Sequence, residues 1–114
     1  MKILAAIHDM MFSSKVTACA KGKPIEWLKR GTRVADAVLA SQPDVLLIDL
    51  AAPQLDALNA IREIKSGAAK GCTVIGYIDH TREEVIEAAR AAGCDQVMSK
   101  GEFARRLPQL LEGL

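Results

Sequence analysis

Two carboxylates and a lysine stand where apolar runs of this sequence end: Asp9 after KILAAIH, Asp49 closing VLLID, and Lys100 after QVMS. A carboxylate at the end of a buried strand is a nucleophile or a hard-cation ligand held at a fixed place. A lysine beside it is a compact positive charge suited to phosphoryl or carboxylate oxygens. His8 precedes Asp9 and offers an imidazole, which suits softer metals than a carboxylate does. No second His or Cys lies at ligand spacing from His8, and His80 stands at another run's end, so His8 reads as a solvated rim residue. Plainer readings stand beside these. Asp49 is also the residue type that caps turns, and Lys100 is also a surface lysine or a counter-charge to Asp49.

The elements that must position these groups are five apolar runs, at residues 2–7, 25–29, 45–50, 73–78 and 96–99, separated by helix-like stretches. That alternation is the βαβ rhythm of a parallel sheet. The first, third and fourth runs are continuously apolar, as strands covered by helices on both faces are, so they are placed at the centre of the sheet. The second, with Glu26 and Lys29 around Trp27, and the fifth, with polar flanks, suit the edges. Helical faces are expected at Phe12, Val16, Cys19 and Ala20; at Leu58, Ile61 and Ile64; at Val85, Ala89 and Ala92; and at Phe103, Leu107, Leu110 and Leu114. A weaker helical stretch falls near residues 33–41. Thr81-Arg82-Glu83-Glu84 reads as a capping box, Gly93 as a left-handed C-terminal cap, and Ser99 with Glu102 as a further cap. Pro108 is expected to split the last helix. In an open parallel sheet the site lies beyond the carboxyl ends of the strands, where the winding reverses. His8, Asp9, Asp49, Ile78, Asp79, Ser99 and Lys100 are the residues placed there.

Composition narrows the function. The 114 residues are 50% hydrophobic and 25% charged with a net charge of +1, which suits one globular domain over 1–114. Lys and Arg are scattered among acids, without the basic stripe that neutralises phosphates, so no nucleic-acid role is expected. The N-terminal apolar run is too short for a signal segment or a membrane span. Cys19, Cys72 and Cys94 are odd in number and far apart, which argues for reduced core thiols and a cytoplasmic setting over disulfides or zinc. Tyr77 and Trp27 are isolated and read as core or edge residues, not a stacking platform. Met10, Met11 and Phe12 read as helix-start packing, with a partner contact as the alternative if they are exposed.

Leu47-Ile48-Asp49-Leu50 with Pro53 and Asp56 resembles the acceptor loop of response-regulator receiver domains, and Ala91-Ala92-Gly93-Cys94-Asp95 through Val97-Met98-Ser99-Lys100 resembles the same family's stretch into its fifth strand. The resemblance spans nearly the whole chain. It implies a three-layer flavodoxin-like (βα)5 α/β fold with a five-stranded parallel sheet in the order 2-1-3-4-5. It also implies Asp49 as the phospho-acceptor, Lys100 as the cation that holds phosphoryl oxygens, and Mg²⁺ near Asp9 and Asp49. The sequence departs from the family at four positions. His8-Asp9 stands where two acids are usual, and with the first strand one residue longer, Asp9 aligns with either acid or just past both. Ile78 replaces the Thr or Ser whose hydroxyl conveys the signal, Val97 replaces the aromatic that follows it, and Gly101 replaces a proline, leaving the loop less constrained.

The leading expectation is a stand-alone, partly degenerate receiver of two-component (phosphorelay) type. It would act through a protein partner, a kinase or a downstream target, docked on the face of the fourth helix, fifth strand and fifth helix, where Arg82, Arg90, Arg105 and Arg106 lie. A homodimer is compatible with the same resemblance. No enzymatic turnover is expected beyond accepting and losing a phosphoryl group at Asp49, with Mg²⁺ held weakly or not at all. The alternative keeps full phosphoryl acceptance on Asp49 with Mg²⁺. A third reading, a small-molecule sensor, rests on fold analogy alone, since no glycine-rich phosphate loop follows the first strand.

Overall fold

The chain was described with a computed structural model that covers residues 2–20 and 22–112. Its strands are β1 (Ile3–Ala6), β2 (Ile25–Trp27), β3 (Val45–Asp49), β4 (Thr73–Ile78) and β5 (Gln96–Ser99); its helices are α1 (Met10–Ala20), α2 (Val34–Ser41), α3 (Ala57–Ser66), α4 (Glu83–Ala92) and α5 (Lys100–Glu112). A short 3₁₀ turn covers Pro53–Leu55. All strand pairings are parallel, in the order β2-β1-β3-β4-β5. The continuously apolar strands are central and the polar-flanked ones are edges, because parallel strands joined by helical crossovers bury both faces except at the rim. Among the described residues no helix is long and apolar enough to cross a membrane.

Strand alternation sorts the core into two layers. Ile3, Ala5, Ile7, Val45, Leu47, Ile75, Tyr77 and Met98 pack with Phe12 and Val16 of α1 and Phe103, Leu107 and Leu111 of α5. On the opposite face, Leu4, Ala6, Leu46, Ile48, Val74 and Ile78 pack with residues of α2, α3 and α4. The parallel register sets Asp49 directly opposite Tyr77 and Ile78 opposite Ser99. Side chains at paired positions of a parallel sheet point to the same face, so Asp49 and Tyr77 both face the α1/α5 layer.

Most local expectations hold; those for the Thr81 capping box and Pro108 are corrected, and two further corrections, at His8 and Gly101, belong to the site. Gly93 closes α4 with φ of 108°, and a side chain there would press on Lys65. Ser99 caps α5, its Oγ accepting the Glu102 N–H at 3.1 Å. The Thr81 capping box is not formed. The residue before α4 is Arg82, without a side-chain cap, because Asp79 holds this turn instead, its carbonyl accepting the Arg82 N–H at 3.0 Å. Pro108 does not split α5, which runs unbroken through it. The missing donor costs about 3 kcal/mol, but Pro108 is exposed while Leu107 and Leu111 beside it are fully buried, at about 2 kcal/mol each. Leu111 thus joins the face expected from Phe103, Leu107 and Leu110, while Leu114 lies outside the described residues.

Candidate functional site at the carboxyl edge of the sheet

Asp49 is the last residue of β3 and is half-buried. Its Oδ1 accepts the Ala51 N–H at 2.9 Å, so the carboxylate turns back over its own loop. The next residue locks that loop in place: the Leu50 N–H donates to the Tyr77 carbonyl at 3.0 Å, and its side chain sits on Gly76, where a Cβ would come within 2.9 Å of it. A glycine is required there by this close approach. Further along, Asp56 adopts φ of 46°, and both its carboxylate oxygens accept from Asn59 Nδ2, at 3.1 and 3.0 Å.

Asp9 performs a local task. Its Oδ1 accepts the N–H groups of Met11 at 2.8 Å and Phe12 at 3.2 Å, and its carbonyl accepts the Ser13 N–H at 2.9 Å. It is the N-cap of α1, satisfying donors that the first turn leaves without partners. One oxygen of each carboxylate is therefore committed to a backbone amide. The charges of Asp9 and Asp49 nonetheless act on one group, the Tyr77 phenol. Burial pushes that phenol up, and the negative charges of Asp49 and then Asp9 push it further. No hydrogen bond of good length and angle reaches this hydroxyl, which belongs to a fully buried residue. Its ring stacks on Phe12 at 4.7 Å and on Phe103 at 4.6 Å, centroid to centroid, and those two rings are 6.0 Å apart, so the three form one cluster.

His8 is not a solvated rim residue: both ring nitrogens are buried and neither has a hydrogen-bond partner. It lies two residues beyond the end of β1, where burial is decided by packing between segments and not by ligand spacing along the chain. Ile78 is fully buried and Val97 half-buried, so neither a hydroxyl nor an aromatic stands at those positions. Gly101 is not in a loop. α5 begins at Lys100, directly from β5, and Gly101 is in its first turn. Lys100 is exposed and makes no ion pair among the described residues.

For a metal, the donor set is thin. Among the described residues no group of three or more His, Cys, Asp or Glu is gathered to hold an ion. Asp9 and Asp49 each keep one carboxylate oxygen unengaged by the backbone, which is the two-carboxylate minimum on which Mg²⁺ with several retained waters is held. A cavity of about 250 Å³ lies elsewhere, between β2 and α2, lined by Leu4, Trp27, Leu28, Thr32 and Ala37 among others. It shares no lining residue with the acidic edge. The surface on α4 and α5 carries Arg82, Arg90, Arg105 and Arg106, all exposed. Three of them pair with nearby acids, Glu84, Glu87 and Glu102, at 3.3 to 3.4 Å, contacts worth under about 1 kcal/mol each. Met10 and Met11 are 84% and 65% exposed beside Asp9, while Phe12 is buried.

Tyr77 is the functional candidate that sequence reading missed. The available signal was its place one residue before the end of an apolar strand adjacent to that of Asp49, but only the register makes the two partners.

No family model matches the chain, and no curated protein matches it. Solved structures do. The response regulator from Hahella chejuensis superposes with a TM-score of 0.84 at 15% identity, over 97% of this chain and 92% of that one. The response regulator domain of Thermotoga maritima CheB gives 0.76 at 20% identity, over 99% and 92%. The Mn²⁺-bound form of response regulator Rcp1 gives 0.71 at 21% identity, over 98% and 89%. The fold of this chain is the flavodoxin-like fold of response-regulator receiver domains.

Proposed function

We propose that this receiver-fold chain is a signalling domain of two-component type that works through protein contacts, with Asp49 at the acceptor position of a reduced pocket. The observation that carries the reading is the carboxyl edge itself. Asp49 ends the third strand of a receiver fold, yet the acid that would share a metal with it caps a helix and no hydroxyl stands at position 78 or aromatic at position 97. Such a site keeps a carboxylate in place and lacks the parts that drive a strong chemical switch. Partner docking then falls to the α4-β5-α5 surface, where four exposed arginines suit an acidic partner surface. Asp49→Ala is expected to leave folding and partner affinity unchanged. Loss of the cellular signal in Asp49→Ala, with fold and partner affinity intact, would overturn the reading.

A second reading is favoured by the oxygen that Asp9 and Asp49 each keep free of the backbone, by the action of both charges on one phenol and by the metal carried by the Mn²⁺-bound structural neighbour. In it Asp49 accepts a phosphoryl group: one carboxylate oxygen attacks phosphorus and the donor's leaving group departs. Mg²⁺, held by Asp9 and Asp49, would screen the negative charge of the incoming group, and Lys100 would swing its ammonium to the phosphoryl oxygens. The test is a Mg²⁺-dependent mass gain from a small phosphodonor that is absent in Asp49→Asn. No gain, with a competent receiver labelled alongside, removes this reading.

A further inference from the structure

We infer that Tyr77 is a positioning residue of the Asp49 site: its hydroxyl is the donor that senses the charge carried by Asp49, and its ring passes the change to Phe12 on α1 and Phe103 on α5. The inference rests on Asp49 being the central carboxylate of the site and deepens that reading.

Three independent observations lead there. Tyr77 is the register partner of Asp49 on the neighbouring strand and faces the same layer. It is fully buried, yet its hydroxyl has no hydrogen-bond partner. A phenylalanine would fill the same space without leaving a polar group unpaired, so packing alone does not account for the hydroxyl. Finally, the ring is part of a three-ring cluster, 4.7 Å from Phe12 and 4.6 Å from Phe103, which are themselves 6.0 Å apart. A ring packed against two others in a close-packed layer cannot shift toward a carboxylate without moving its neighbours. The Phe12 amide is in turn held by Asp9, so the first turn of α1 is tied to the same acidic edge. Tyr77 thus combines in one side chain the donor absent from Ile78 and the aromatic absent from Val97, and it directs the response to the α1/α5 layer.

The direct test is a two-by-two set of full-length chains, with and without Asp49→Asn, in the native and Tyr77→Phe backgrounds, read by aromatic-ring NMR of Phe12 and Phe103. Asp49→Asn is expected to shift both rings' resonances in the native background and to lose that effect in Tyr77→Phe. Equal shifts in both backgrounds, or no shift in either, would overturn the inference. Should Tyr77→Phe fail to fold, the ring-carbon resonance next to the Tyr77 hydroxyl is compared between the native chain and Asp49→Asn. A moved signal supports the coupling and an unmoved one overturns it. Adding Mg²⁺ and beryllofluoride to the native chain separates this from the phosphoryl reading: absence of a response centred on Asp49 counts against phosphoryl acceptance, while the outcome of the two-by-two set stands by itself.

Discussion

The two ends of the sheet treat their polar groups in opposite ways. At the amino-terminal edge, Asp95 accepts from both the Val74 N–H and Lys65 Nζ at 2.7 Å, and the same ammonium donates to the Cys72 carbonyl at 2.7 Å. Asp44 likewise takes the Lys2 amide at 2.8 Å on its carboxylate and the Thr73 amide at 2.9 Å on its carbonyl. At the carboxyl edge, the Tyr77 hydroxyl and both His8 nitrogens are buried without partners, and Lys100 is unpaired among the described residues. The amino end also holds one buried group without a partner, the Ser41 hydroxyl, but its carboxylates are bonded across strands. A satisfied network fixes strand ends against each other, whereas unsatisfied groups raise the energy of the resting state and leave donors ready for something that arrives. The amino edge is therefore the structural clamp, and the carboxyl edge is the place where a change of charge can be felt.

Experiments can break this contrast, and the largest effect should come from the wall that both edges lean on. Phe103→Ala removes a fully buried ring that is stacked on Tyr77 and is expected to cost about 3–5 kcal/mol in denaturant unfolding. A cost near zero would mean that the α1/α5 layer is loose and Tyr77 unclamped. Lys65→Met comes next, at about 1–2 kcal/mol, because it leaves the Cys72 carbonyl and one side of Asp95 without a donor.

Asp95→Asn should cost about 1 kcal/mol near neutral pH, a figure kept small because the side chain is 42% exposed. Desolvation raises the Asp95 pKa, but the hydrogen bonds from Lys65 and Val74 outweigh it and hold the carboxyl below its ordinary value of 3.8. A depressed carboxylate stabilises the fold fully above that ordinary value and loses its contribution as pH falls through the lower, folded value. Thermal unfolding of the native chain and Asp95→Asn should accordingly converge in acid below that ordinary value. Parallel curves down to that range would remove Asp95 from the clamp.

The smallest effect is expected from Tyr77→Phe, within about 1 kcal/mol of the native chain and as often stabilising as not, since it removes a buried hydroxyl that has no partner. A loss as large as that of Lys65→Met would show the hydroxyl already bonded in the resting state and would erase the difference between the edges.

The layered plan, and the end of the sheet at which a site would lie, are legible in the residue pattern. Runs of continuous apolarity suit strands buried on both faces, and in a parallel sheet their carboxyl ends lie at one edge, so Asp9, Asp49 and Lys100 were legible as residues of that edge. Gly93 and Ser99 were legible as caps because capping is local. The strand order followed from the family resemblance, and the fold bears it out. Tertiary structure alone decided what each group at the edge does. That Asp9 spends an oxygen on α1, that His8 turns inward, that Lys100 opens a helix and that Pro108 is tolerated inside one all depend on packing between segments distant in the chain. Tyr77 is the clearest case. Its partner Asp49 is set by cross-strand register and its clamp by Phe12 and Phe103 from the two ends of the chain, and neither relation has a local signature that a sequence can display.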